Sequence, residues 1–125
     1  MNARHAHDLI RVKFPVFVAT EHEWQILLLG DSEDTTRIEA FLRTNFGQDE
    51  LVVRVTRKVG GLVPVSEAVA LVASSLGQAE IRIANRQFTK FAVIGLPGVA
   101  TAWKQASLEA GLRAVPQAEE SQGAA

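Results

Sequence analysis

The residues of this chain best suited to hold a ligand are a cationic pair running into a glycine pair, Arg57-Lys58-Val59-Gly60-Gly61, and a glycine-bounded turn, Gly95-Leu96-Pro97-Gly98. Glycine lets backbone amides come close to a bound group, and neighbouring cations favour that group if it is a phosphate. Gly95, Gly98, Arg57 and Lys58 are therefore the expected contacts of a small-molecule, phosphate or nucleotide ligand. A plain turn and an ordinary connector are the competing readings of the two stretches. The GDSEDTT run from Gly30 lacks the further glycines and the lysine of a phosphate loop. Its three carboxylates would repel an anion, so it reads as a helix cap.

Imidazole and carboxylate are common metal ligands, which brings His5-Ala6-His7 and Asp8 into view. The pattern is short and sits in the first residues, where a polar tail is the usual content, and neither a metal nor a cofactor is expected. His22, between Glu21 and Glu23, reads as a solvated turn residue. With no cysteine in the chain, a disulfide frame, thiolate zinc and a cysteine nucleophile are all excluded. No histidine stands in a rigid context beside a nucleophile, and the expectation is that the protein is not an enzyme.

Charge is unevenly distributed. From Phe14 to Glu50 two basic residues stand against eight acidic ones, a net of −6, whereas from Leu51 to Lys104 seven basic residues meet only Glu67 and Glu80, a net of +5. An asymmetry of this kind suits an acidic protein partner or an anionic ligand. If helices cover one side of a sheet, Arg11, Lys13, Arg54, Arg82 and Lys90 share the other as a basic face. Nucleic-acid sheet platforms also need stacking aromatics, and this chain has no tyrosine and places most phenylalanines at core-like positions, so nucleic acid is possible but not favoured.

The elements that position these residues follow from periodicity. Leu9 to Thr20 alternates, with Ile10, Val12, Phe14, Val16 and Val18 on one side, the period of a half-buried strand, and Pro15 puts that strand at an edge. A second strand is expected at Trp24 to Leu29. A helix follows from the Asp31-Ser32 cap to Phe46, closed by Gly47. Leu51 to Arg57 is a third strand, and Ser66 to Leu76 a helix apolar on most of its circumference. Ala79 to Ala84 and Phe88 to Ile94 form a hairpin, and a last helix, striped by Val99, Trp103, Ala106 and Ala110, is expected after Gly98.

The resulting fold is α+β, a two-layer sandwich in the order β-β-α-β-α-β-β-α, with a mainly antiparallel or mixed sheet and helices mostly on one face. An α/β arrangement with a parallel pair across the Ala68 helix is the alternative. One domain is expected at residues 9–115, with a flexible arm at 1–8 and a disordered tail at 116–125. A helix as apolar as the one through Ala68, Val69, Val72 and Leu76 is normally covered on more than one side, which makes it the expected self-association surface of a homo-oligomer. The leading functional expectation is accordingly a non-catalytic protein-interaction module. No signal sequence or membrane span is apparent, and a soluble, cytoplasmic protein is expected.

Overall fold

The computed structural model describes residues 1–27, 35–95 and 98–105. Its elements run α1 (Ala3–Lys13), β1 (Gln25–Ile26), α2 (Thr36–Phe46), β2 (Leu51–Arg54), β3 (Gly60–Val63), α3 (Val65–Ser75), β4 (Ile81–Asn85), β5 (Lys90–Ile94) and β6 (Val99–Lys104). The six strands make one sheet in the order β1-β6-β5-β4-β2-β3, antiparallel at every pairing. The α+β class expected from the sequence holds, and the parallel alternative does not, because β2 lies between the two strands that flank α3.

From β1 to β5 the elements keep their expected succession, with β3 added where a glycine connector was expected. The differences lie at the two ends. The expected arm and the first part of the expected edge strand, Leu9 to Lys13, instead form α1, because a helical spacing overlaps the alternating one, and the rest of that stretch, Phe14 to Thr20, is not strand either. Ala6 and Ile10 stand one turn apart and are both buried, and Leu9 and Phe14 pack beside them. The Asn2 side chain caps the helix by accepting a hydrogen bond from His5 N at 2.8 Å. Pro15 then stops it by forcing Phe14 into extended backbone.

At the other end, Val99 to Lys104 was expected to be helical and is strand. Val99, Thr101 and Trp103 alternate there with Ala100 and Ala102, and β-branched residues pack well on a pleated surface. The remainder of that expected helix, the tail, the end of the expected Trp24 strand and the Asp31-Ser32 cap lie outside the described residues.

Because strand side chains alternate, the sheet has two cores. Leu51, Val53, Ile81, Ile83, Ala92, Ile94 and Ala100 face α2 and α3, which supply Ile38, Phe41, Leu42, Phe46, Val65, Ala68, Val69 and Val72. Val52, Ala84 and Phe91 face the opposite way and pack with Ala6, Ile10 and Phe88 beneath α1. Two helices thus share one face and α1 covers part of the other, so the helices sit mostly, not wholly, on one side. This layering is what brings α1 over the basic strand residues.

The β4–β5 hairpin fixes the register of the strands that carry the site. Buried Asn85 accepts from Thr89 N at 2.8 Å and Lys90 N at 3.0 Å through Oδ1, and its Nδ2 donates to Thr89 Oγ1 at 2.9 Å. These bonds hold Phe88 at φ 55°, a backbone region that side chains with a Cβ seldom adopt. Asn85→Ala leaves partly buried amides unpaired and is expected to cost about 1–3 kcal/mol, measured by denaturant unfolding.

Candidate anion-binding cleft

On its face of the sheet α1 lies across β3, β2 and β4. β2 and β4 pair with Arg54 directly opposite Arg82, and both guanidinium groups point to the α1 side, as their neighbours Val52 and Ala84 do. Like charges directly opposed across two strands repel. Glu80, two residues before Arg82 and so on the same side, lies between them: its Oε1 accepts from Arg82 Nε at 2.9 Å and sits 3.9 Å from Arg54 Nη2. One carboxylate therefore serves two guanidinium groups.

The helix supplies the second wall. His7 and Arg11 are one turn apart on α1, as are Ile10 and Phe14, and all four line a cleft of about 340 Å³ together with Arg54, Glu80 and Arg82. Three arginines and one carboxylate give this cleft a formal charge of +2 with His7 neutral. Arg54 Nε and His7 Nδ1 are both buried without a hydrogen-bond partner. Burial, then the nearby Arg82 charge, lowers the Arg54 pKa from its ordinary value, and Glu80 offsets this only in part.

Arg82 is fixed from a further side. Its guanidinium carbon lies 5.1 Å from the Phe14 ring centre and 5.8 Å from that of Phe17. Cation–π attraction operates at such distances. These two rings begin an aromatic cluster that extends over β5 and β6. Phe14 meets Phe91 and Trp103 edge to face, while Phe17 stacks on His22 at 4.9 Å and on Trp103 at 5.6 Å. His22 is thus part of a half-buried ring stack, not the solvated turn residue that its two flanking glutamates suggested. A guanidinium held against two rings, with its Nε bound to Glu80, keeps its remaining N–H groups in a fixed direction.

The expected site residues distribute as follows. Of the basic face, Arg11, Arg54 and Arg82 converge on the cleft, and Lys13 stands 5.6 Å from the Phe88 ring on the same side of the sheet. Lys90 does not belong to it, since it shares the side of Ala92 and Ile94.

Arg57 and Lys58 form the tip of the β2–β3 turn, where Lys58 N and Val59 N both donate to Thr56 Oγ1 at 3.1 Å. Gly95 and Gly98 close the β5–β6 turn, with Gly98 N donating to Gly95 O at 3.0 Å and Gly95 N to Val99 O at 2.7 Å. The two turns are at the same end of the sheet, on separate hairpins with β4 between them. The amides of Lys58, Val59, Gly95 and Gly98 are thus engaged in the turns themselves, and a strand, not a helix, follows Gly98.

Gly60 has a different purpose from ligand binding. At φ 145° it lets β3 approach β2 so closely that a Cβ would collide with the Val53 carbonyl oxygen. Gly60→Ala is expected to cost at least about 2 kcal/mol of stability, read from the shift in unfolding midpoint.

The residues expected to form a self-association surface are turned inward. Ala68, Val69 and Val72 are buried against the sheet and α2, with Leu76 partly buried beside them, so the chain itself covers the apolar side of α3. The outward residues of this helix, Ser66, Glu67, Ala70, Ala73 and Ser74, are small or polar.

Sequence reasoning weighed His7 only as a metal ligand in a terminal arm, and missed Glu80 and the aromatic cluster. The place of His7 in the cleft was legible only if residues 7, 10, 11 and 14 were read at helical spacing. A smaller cleft of about 270 Å³ beside β6 is lined by Glu23, Trp24, Phe41, Asn45 and Thr101 among others, with no cationic residue in its lining. Among the described residues no set of three or more histidine, aspartate or glutamate side chains is placed to hold a metal, and no helix is long and apolar enough to cross a membrane. No protein family, characterised protein or solved structure matches the chain.

Proposed function

We propose that this protein binds a small anionic molecule in the cleft between α1 and the sheet. The observation that carries the reading is the opposed pair Arg54 and Arg82, which share one carboxylate and leave Arg54 Nε buried with no acceptor. An unpaired buried donor is costly, and an oxygen acceptor from a ligand would remove that cost. The cleft's size falls near the lower end of the range of roughly 300–1,000 Å³ for small-molecule sites. Phosphate or nucleotide handling, expected from the glycine turns, is thereby moved to the opposed arginines. The role is binding, without catalysis.

Thermal unfolding at low salt with a panel of small phosphates and carboxylates tests the reading. A ligand present at about 100 times its Kd adds roughly 2.7 kcal/mol to the folded state and raises Tm. If no member of the panel raises Tm at millimolar concentration, the reading is wrong.

Self-association is a second reading, now resting on other residues. Val12, Val16 and Ile26 are 68%, 94% and 53% exposed, and Val18 is also exposed. So many open apolar side chains in one stretch are the usual mark of a contact surface. On this reading light scattering at high protein concentration gives a mass above that of one chain, and Val16→Asp restores the monomer. A wild-type protein that stays monomeric removes it.

A further inference from the structure

The chemistry of the cleft walls narrows the ligand class, on the assumption that the anion-binding reading above is correct. Donors come from two opposed walls: Arg54 and Arg82 rise from the sheet, while His7 and Arg11 descend from α1. A planar carboxylate presents its acceptor lone pairs in one plane and satisfies a single guanidinium fork well. Donors arranged on both sides of a space suit an acceptor with oxygens directed tetrahedrally. The net formal charge of +2 is matched by a dianion and only half matched by a monoanion.

Beside the polar row His7–Arg11, α1 carries a second row, Ile10–Phe14, displaced by three residues along the same side of the helix. An anion held by the arginines therefore has an apolar wall next to it, and the half-exposed Phe14 ring is the accessible part of that wall. Across from it the cleft is bounded by the sheet, which limits the occupant to a small molecule.

We propose that the ligand is a phosphomonoester with an apolar or aromatic organic part, its phosphate between Arg11, Arg54 and Arg82 and its body along Phe14. Free phosphate shares the anionic chemistry, and the experiment separates the two.

Calorimetric titration of the full chain at low salt with phenyl phosphate, inorganic phosphate and benzoate tests this. Phenyl phosphate is expected to bind at least about tenfold more tightly than either of the others, a difference worth roughly 1.4 kcal/mol. Between about pH 7.5 and 5 the phosphate loses its second charge, around pH 6. The ratio of phenyl phosphate to benzoate affinity is then expected to fall several-fold. Arg54→Lys keeps the charge and loses the fork, and is expected to weaken phenyl phosphate binding about tenfold. Arg11→Gln, on the open surface of α1, gives a parallel loss in a variant whose fold is not at risk.

Benzoate binding as tightly as phenyl phosphate overturns the tetrahedral assignment and leaves the anion site standing. Inorganic phosphate binding as tightly as phenyl phosphate overturns the assignment of an organic body to Phe14. Failure of all three probes to bind overturns both this inference and the anion-binding reading beneath it.

Discussion

Arg82→Met is expected to abolish most of the anion affinity, a loss of at least about 100-fold, with little change in folding stability. The two effects separate because Arg82 has opposing roles. It is the guanidinium that the rings of Phe14 and Phe17 and the carboxylate of Glu80 hold in place. Truncating one member of a desolvated charge pair costs about 2–5 kcal/mol in binding. In the free protein its removal also relieves the repulsion on Arg54 and leaves Glu80 wholly to that residue. Methionine keeps an apolar body against the two rings. Titration with phenyl phosphate and a urea denaturation curve on the same preparation give the two readouts. A variant that binds as the wild type does would remove Arg82 from the site.

Phe46→Ala is expected to be the most destabilising of the substitutions considered, by about 3–5 kcal/mol. Phe46 is the largest fully buried side chain of the described residues and closes α2 over the front core with Leu42 and Leu51. For a domain whose whole stability is of the order of 5–15 kcal/mol, such a loss brings the folded state near its limit. Guanidinium unfolding monitored by tryptophan fluorescence measures it. A loss below about 1 kcal/mol would mean that the space left by the ring is refilled by its neighbours.

What the sequence made legible was local. The stripe Ile38, Phe41, Leu42 and Phe46, followed by Gly47 at φ 68°, marks an amphipathic helix with a C-terminal stop, and α2 follows it. Helical spacing of apolar residues and a glycine with positive φ are both local signals. The β4–β5 hairpin was legible from two apolar runs with polar turn residues between them. Where two periods overlap, the sequence does not decide. Ile10, Val12, Phe14, Val16 and Val18 alternate as a strand does, but Ala6, Ile10 and Phe14 also stand four apart. The side chain of Asn2 and the ring of Pro15, one at each boundary, favour the helix.

The site was half legible for a related reason. Arg54 and Arg82 are recognisable as outward members of alternating strands. That they stand opposite one another is a matter of register, which depends on β2 lying beside β4 and not on any local signal. His7 and Arg11 join them only because α1 crosses that side. Lys90 was assigned to the wrong side by the same lack of register: Arg82 pairs with Val93, and Lys90, three residues before Val93, points to the opposite side.

The pairing of β1 with β6 has a bearing on how the chain comes to be folded. Gln25 is joined to Ala100 and Ile26 to Val99, so a segment made early in synthesis waits for one made late. The closure entropy of so long a loop is offset only once the hairpins from β2 to β5 have set. A nascent chain halted before Val99 would therefore expose the outer margin of β5. Hydrogen exchange pulsed during refolding should protect the amide of Leu27, bound to Gly98 O, after those of β4.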